Sequence, residues 1–168
     1  MEILTISGSA RAGSSNIKLL KHLSSLTDYM SFQYSNLIKE LPLFIDDPEA
    51  IIPEAVIKWR NQLAKSDGII ICTPEYIHNQ PALLKNALEW VTASGEMAGK
   101  KVLAITFTPN EPRGEKAMQS LLWSLKALDA NIIASLALYQ TEIFYSKDGE
   151  LEGESAEILK EALRLFIA

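Results

Sequence analysis

Two stretches of this sequence concentrate side chains capable of chemistry. The first is Gly8-Ser9-Ala10-Arg11-Ala12-Gly13-Ser14-Ser15-Asn16, which runs straight into an amphipathic segment. Backbone N–H groups at a helix N-terminus, with the positive end of the helix dipole, suit an anion and above all a phosphate. Ser9, Ser14, Ser15 and Asn16 add neutral hydrogen bonds, and Arg11 adds a charge with fork geometry. The plainer alternative is an ordinary cap, with Ser14 or Ser15 capping the helix and Arg11 solvated. A cap accounts for one hydroxyl but not for the cluster, so phosphate is the favoured reading. The loop matches neither the Walker A pattern nor Gly-x-Gly-x-x-Gly, which argues against a P-loop NTPase and an ordinary Rossmann dehydrogenase.

The second stretch is Thr73-Pro74-Glu75-Tyr76-Ile77-His78-Asn79-Gln80-Pro81. Two prolines stiffen it, and it carries an acid, a phenol and an imidazole. Such a loop suits a flat polar ring, with backbone amides at the ring edge and Tyr76 or His78 beside it. It equally suits a braced turn into a helix, with Tyr76 packing and His78 exposed. The residues alone leave both readings open.

Other reactive side chains favour bland roles. Cys72 is the only cysteine, which excludes an intrachain disulfide and a multi-cysteine zinc site. With only His22 and His78 besides, no metal centre is expected. Cys72 ends an apolar run with nothing nearby to activate a thiolate, so it reads as a core residue. His22 falls on the polar side of its helix and reads as solvated. Trp123 lies off the apolar stripe of its helix, covering a rim or entering a subunit interface, and Trp90 could do the same.

The elements that position these residues follow from periodicity. Ile3–Ser7, Ser31–Tyr34, Gly68–Cys72, Lys101–Phe107 and Ile132–Leu138 read as strands. The third is a continuous β-branched run, as expected of a strand covered on both sides. Asn16–Leu26, Pro53–Lys65, Pro81–Val91, Glu115–Leu128 and Ser155–Phe166 read as helices, the last with Ile158, Ala162 and Phe166 inward. Strands alternating with helices imply an α/β, three-layer sandwich with a five-stranded parallel sheet. The flavodoxin-like order 2-1-3-4-5 fits, with the amphipathic second strand at an edge. In that order ligands bind beyond the carboxyl ends of strands 1 and 3, where the two unusual loops lie.

Length and charge bound the function. The 168 residues suit a single domain spanning 1–168. Sixteen basic against twenty-one acidic residues give a net charge of −5, against a nucleic-acid partner. No apolar stretch approaches the ~18 residues of a membrane helix. Met-Glu-Ile-Leu carries an acid where a signal peptide would carry Lys or Arg, so a cytoplasmic location is expected.

Gly-Ser-x-Arg-x-x-Ser-x-Asn at Gly8–Asn16, Thr-Pro-Glu-Tyr at Thr73–Tyr76 and Pro-x-x-Leu-Lys-Asn-Ala-Leu-Glu-Trp at Pro81–Trp90 closely resemble the NAD(P)H-dependent FMN reductase family. That family includes quinone, azo-dye and chromate reductases on a flavodoxin-like fold. The resemblance extends more weakly to Leu41-Pro42-Leu43-Phe44 and to Ala64–Gly68. It implies that Ser9, Arg11, Ser14 and Asn16 hold an FMN phosphate and that Pro74, Glu75 and Tyr76 lie along the isoalloxazine edge. His78 falls where the family often has an aromatic residue or histidine. Two departures stand out: Ile77 replaces the usual Asn, and Thr106–Gly114 replaces a Gly/Ser-rich loop, changing the far wall of the pocket.

The resemblance implies an FMN-dependent oxidoreductase that uses NADH or NADPH to reduce a quinone-like small acceptor by ping-pong kinetics. Because flavin carries the chemistry, no protein catalytic nucleophile is expected. A homodimer or homotetramer associating near helices 3 and 4 is also implied. The alternatives are a flavodoxin-like electron carrier, a member that has lost flavin and binds another phosphate ligand or a protein, and, more weakly, a hydrolase using Glu75.

Overall fold

Apolar and β-branched runs make the sheet, and amphipathic helices cover it. The computed structural model describes residues 1–47 and 49–168. Its main sheet holds β1 (Glu2–Ser7), β2 (Ser31–Ser35), β3 (Gly68–Thr73), β4 (Lys101–Thr108) and β5 (Asn131–Tyr139). Every pairing is parallel and the order is β2-β1-β3-β4-β5, the flavodoxin-like arrangement that the alternation predicts. All of β3 is buried, as its Gly-Ile-Ile-Ile-Cys-Thr sequence demands. β2, with its alternating pattern, lies at one edge.

The helices are α1 (Ser15–His22), α2 (Glu54–Lys65), α3 (Ala82–Glu89), α4 (Glu115–Ala127) and α5 (Glu154–Arg164). Successive strand residues serve opposite faces. Ile69 and Ile71 join the cluster of Trp59, Leu63, Leu84 and Leu121 from α2, α3 and α4. Ile70 joins Leu19 and Leu20 of α1 and Leu159 and Leu163 of α5 on the other side. Trp59 is fully buried, and its indole N–H donates to the Ala87 carbonyl at 2.9 Å. That bond offsets the cost of burying a polar atom.

Three local features differ from the sequence expectation. The first helix was expected to reach Leu26, but α1 stops at His22 and a 3-10 turn spans Leu23–Leu26. The hydroxyls of Ser24 and Ser25 donate back to the carbonyls of Lys21 and His22, competing with α-helical continuation. His22 is half-buried rather than solvated, its ring 4.9 Å from that of Tyr145. Ile158 is exposed rather than inward, because α5 buries the stripe Ala156, Leu159, Ala162 and Leu163 instead.

A small antiparallel hairpin, β6 (Phe144–Tyr145) and β7 (Leu151–Glu152), lies between β5 and α5. Asp148-Gly149 makes its turn, with Gly149 at φ 83°. No helix among the described residues is long and apolar enough to cross a membrane.

Candidate functional site

The two unusual loops meet above the carboxyl ends of β1 and β3. The Gly8 N–H donates to the Cys72 carbonyl at 2.8 Å, extending the β1–β3 ladder one residue beyond β1. A Cβ on Gly8 would collide with the Thr73 hydroxyl, so this approach needs glycine. The chain then turns into α1, and Ser14 is the cap: its Oγ accepts the Ile17 N–H at 3.3 Å. Ser15 Oγ accepts from Gln140 Nε2 at 3.0 Å. The N–H groups of Ser15 and Asn16 have no acceptor among the described residues.

Asn16 is the buried member of the loop. Its Nδ2 donates to the Phe107 carbonyl and its Oδ1 accepts the Cys72 thiol, both at 3.2 Å. This side chain braces α1 against β3 and β4. Complete burial pushes the Cys72 thiol well above its ordinary pKa, keeping it protonated. The thiol is an inert core donor, as the sequence suggests.

The second loop is a tight reversal. Tyr76 and Asn79 exchange N–H···O bonds of 2.9 and 3.0 Å around Ile77 and His78. Ile77 has φ 51° and His78 φ 55°, so both central residues are left-handed, as in a type I′ turn. Ile77 is 97% exposed.

Glu75 fixes this loop to α4. Its Oε2 accepts the N–H groups of Gly114, Lys116 and Ala117 at 3.2, 3.0 and 3.1 Å. Gly114 provides no side-chain cap, and Glu75 supplies one from another loop, its charge favoured by the helix dipole. Glu75 Oε1 lies 3.6 Å from Nδ1 of His78, whose ring is exposed. Engaged in this way, Glu75 lends no support to the hydrolase alternative.

The Leu-Lys-Asn-Ala-Leu-Glu-Trp segment braces rather than binds. Asn86 accepts the Phe44 N–H at 2.8 Å and donates to the Pro42 carbonyl at 3.0 Å. The Trp90 indole N–H donates to that same carbonyl at 2.7 Å, and its ring meets Phe44 edge-on at 5.2 Å. Trp90 therefore holds the Leu41–Phe44 loop, while Trp123 on α4 remains 63% exposed.

Ser9, Arg11, Ser14, Ser15, Asn16, Pro74, Glu75 and Tyr76 converge on one cleft of about 250 Å³. His78 is the one candidate that does not line it, because the turn carries it to the exposed tip. Phe107, Thr108, Pro109, Arg113 and Gln140 complete the walls. The loop after β4 thus forms the far wall, as its altered sequence implies. Arg113 and Gln140 were not singled out in the sequence, since each reaches the cleft only through the fold. No group of three or more metal-ligating side chains occurs among the described residues.

The donors fit a phosphate ester joined to a flat ring. Hydroxyls, a guanidinium and unpaired helix N–H groups stand on one side, and the proline–tyrosine wall stands on the other. Fold and cleft together define a flavodoxin-like protein with a polar cleft beyond the carboxyl ends of β1 and β3. The sequence model of the NADPH-dependent FMN reductases matches residues 1–142, and this chain belongs to that family. It is accordingly an NAD(P)H-dependent, FMN-using oxidoreductase.

A 2-hydroxy-1,4-benzoquinone reductase of a Burkholderia species is 30% identical over 171 residues, covering 99% of this chain and 90% of that protein. The quinone reductase of Escherichia coli K12 is 31% identical over 139 residues, covering 79% and 73% respectively. Among solved structures, the flavoenzyme NAD(P)H:(acceptor) oxidoreductase of Paracoccus denitrificans matches with a TM-score of 0.80 at 26% identity. That match covers 99% of this chain and 94% of the other.

Proposed function

We propose that residues 1–168 act as a single FMN-binding domain that reduces quinone-like small molecules at the expense of NADH or NADPH, in the cytoplasm. The observation that carries this reading is the convergence of the Gly8–Asn16 and Thr73–Asn79 loops on one cleft. Ser9, Arg11, Ser14, Ser15 and the N–H groups of Ser15 and Asn16 would hold the phosphate, the helix dipole adding to the charge of Arg11. Pro74 and Tyr76 would flank the ring. Glu75 and Asn16 keep those walls in place through their bonds to α4, β3 and β4. Bound FMN supplies the capacity to take up and release hydride. The protein positions and shields it, and His78 stays outside the cleft at the exposed tip of its turn.

Reductant and acceptor would use the same opening in turn, giving ping-pong kinetics. The test is steady-state oxidation of NADH and of NADPH by the FMN-loaded protein with 1,4-benzoquinone as acceptor. Parallel double-reciprocal lines are expected. Turnover no faster than that of free FMN would overturn the reading.

The protein is further proposed to work as a homodimer or homotetramer through the α3–α4 side. Ile77, Tyr76, Pro81 and Ala82 form a shallow, mainly apolar depression there, and Trp123 of α4 is a large exposed aromatic. Aromatic anchors of this kind are enriched at interfaces. Light scattering at micromolar concentration should give at least twice the mass of the chain, and a monomer mass would contradict the proposal.

A further inference from the structure

The cleft carries a second guanidinium. Arg113 lies between β4 and α4 and lines the cleft beside Pro109 and Thr108. Its backbone is tightly held. The Arg113 N–H donates to the Asn110 carbonyl at 3.1 Å, and the Arg113 carbonyl accepts the Thr108 hydroxyl at 2.9 Å. The following residue, Gly114, donates to Glu75 at 3.2 Å. These bonds attach Arg113 to the Pro74–Tyr76 wall, whereas Arg11 belongs to the loop entering α1. Neither guanidinium is in an ion pair among the described residues. A backbone already fixed in place lowers the entropic cost of presenting such a charge to a ligand.

We infer that the two arginines divide the cofactor between them, Arg11 taking the phosphate and Arg113 acting on the ring portion and favouring its reduced state. This rests on the FMN reading above. A fixed positive charge beside a ring that gains electron density on reduction stabilises the reduced form more than the oxidised one. Arg113 exchanges neither proton nor electron in doing so. It sets the potential at which the ring accepts hydride from the nicotinamide. Thr108 holds the Arg113 carbonyl and Glu75 holds the Gly114 N–H, which roots Arg113 on the wall opposite the α1 loop.

The test compares wild type, Arg11→Ala, Arg113→Ala and Arg113→Lys. Each apo protein is titrated with FMN and, separately, with riboflavin, which lacks the phosphate. The midpoint potential of bound FMN is then measured. Arg11→Ala should weaken FMN about tenfold or more and leave riboflavin unchanged. Arg113→Ala should weaken both flavins by the same factor and lower the potential, with Arg113→Lys recovering part of each. Loss of FMN affinity alone in Arg113→Ala would make it a phosphate clamp and overturn the division. Unchanged titrations or an unchanged potential would also overturn it. Because the Arg113 side chain bonds nothing among the described residues, the apo melting temperature should match wild type. If wild type binds neither flavin, the FMN reading falls along with the inference; binding by wild type with no effect of Arg113→Ala removes the inference alone.

Discussion

Ile77 places a β-branched side chain where the backbone favours asparagine or glycine. Its φ of 51° lies in the left-handed region, and its side chain is 97% exposed. The asparagine usual in the family at this position is thus explained by turn geometry as much as by any contact to the ring. An apolar residue at this position is expected to face the pocket wall or a neighbouring subunit, and Ile77 does not line the cleft. Ile77→Asn should therefore stabilise the isolated chain by about 1 kcal/mol, raising Tm by roughly 2–4 °C. Ile77 also lies on the proposed contact face, so a smaller particle mass for the variant would support that interface, whereas a lower Tm at unchanged mass would contradict the turn argument. Arg11→Ala should cost about 1.5–3 kcal/mol of FMN binding, roughly ten- to hundredfold in Kd, without changing the fold. Equal FMN titrations for the two proteins would remove Arg11 from the phosphate site. Cys72 should resist iodoacetamide in the folded protein at pH 8 and react once unfolded, because burial raises its pKa. The linked stability is fully present below the unfolded thiol pKa of about 8.5 and declines as pH rises above it. Rapid labelling of the native protein would contradict this burial.

Among the elements, α4 shows most clearly how the site is built from distant parts. Its N-terminus has no cap of its own, and Glu75 provides one while fixing the ring-flanking loop. Glu75→Ala should cost about 1–3 kcal/mol of stability by leaving those N–H groups without their acceptor. Glu75→Gln, which keeps an acceptor but loses the charge, should cost less. Equal Tm values for Glu75→Ala and wild type in thermal unfolding would refute this role. The strands and helices were legible because β3 is apolar throughout and the helices carry clear stripes. The partner of Glu75 was not, since nothing local in Pro-Glu-Tyr points to Lys116 and Ala117. The β6–β7 hairpin was missed because strands of two residues show no period, although Asp148-Gly149 marks its turn. The end of α1 was misplaced because leucine spacing continues through Leu26 while Ser24 and Ser25 divert the backbone.

At the scale of the molecule, strand order decides where the chemistry sits. Order β2-β1-β3-β4-β5 brings the loops after β1 and β3 together, and the cleft lies where those loops meet. The phosphate loop was readable because Gly, Ser, Arg and Asn cluster within a few residues ahead of α1. Gln140 was not readable, and Arg113 was legible only as part of the Thr106–Gly114 loop expected at the far wall, since neither carries a local signal of its own. Asn16 was legible as a polar residue of that loop but not as a brace, because its partners Cys72 and Phe107 lie on β3 and β4. The central claim is that this cleft holds FMN in a redox-active state. The most direct measurement is anaerobic visible spectroscopy of the apo protein titrated with FMN and then reduced with NADH or NADPH. The account predicts saturation at one FMN per chain, a bound-flavin spectrum distinct from that of the free cofactor, and bleaching on addition of the nicotinamide. A free-flavin spectrum throughout the titration, or a bound flavin that neither nicotinamide reduces, would contradict it.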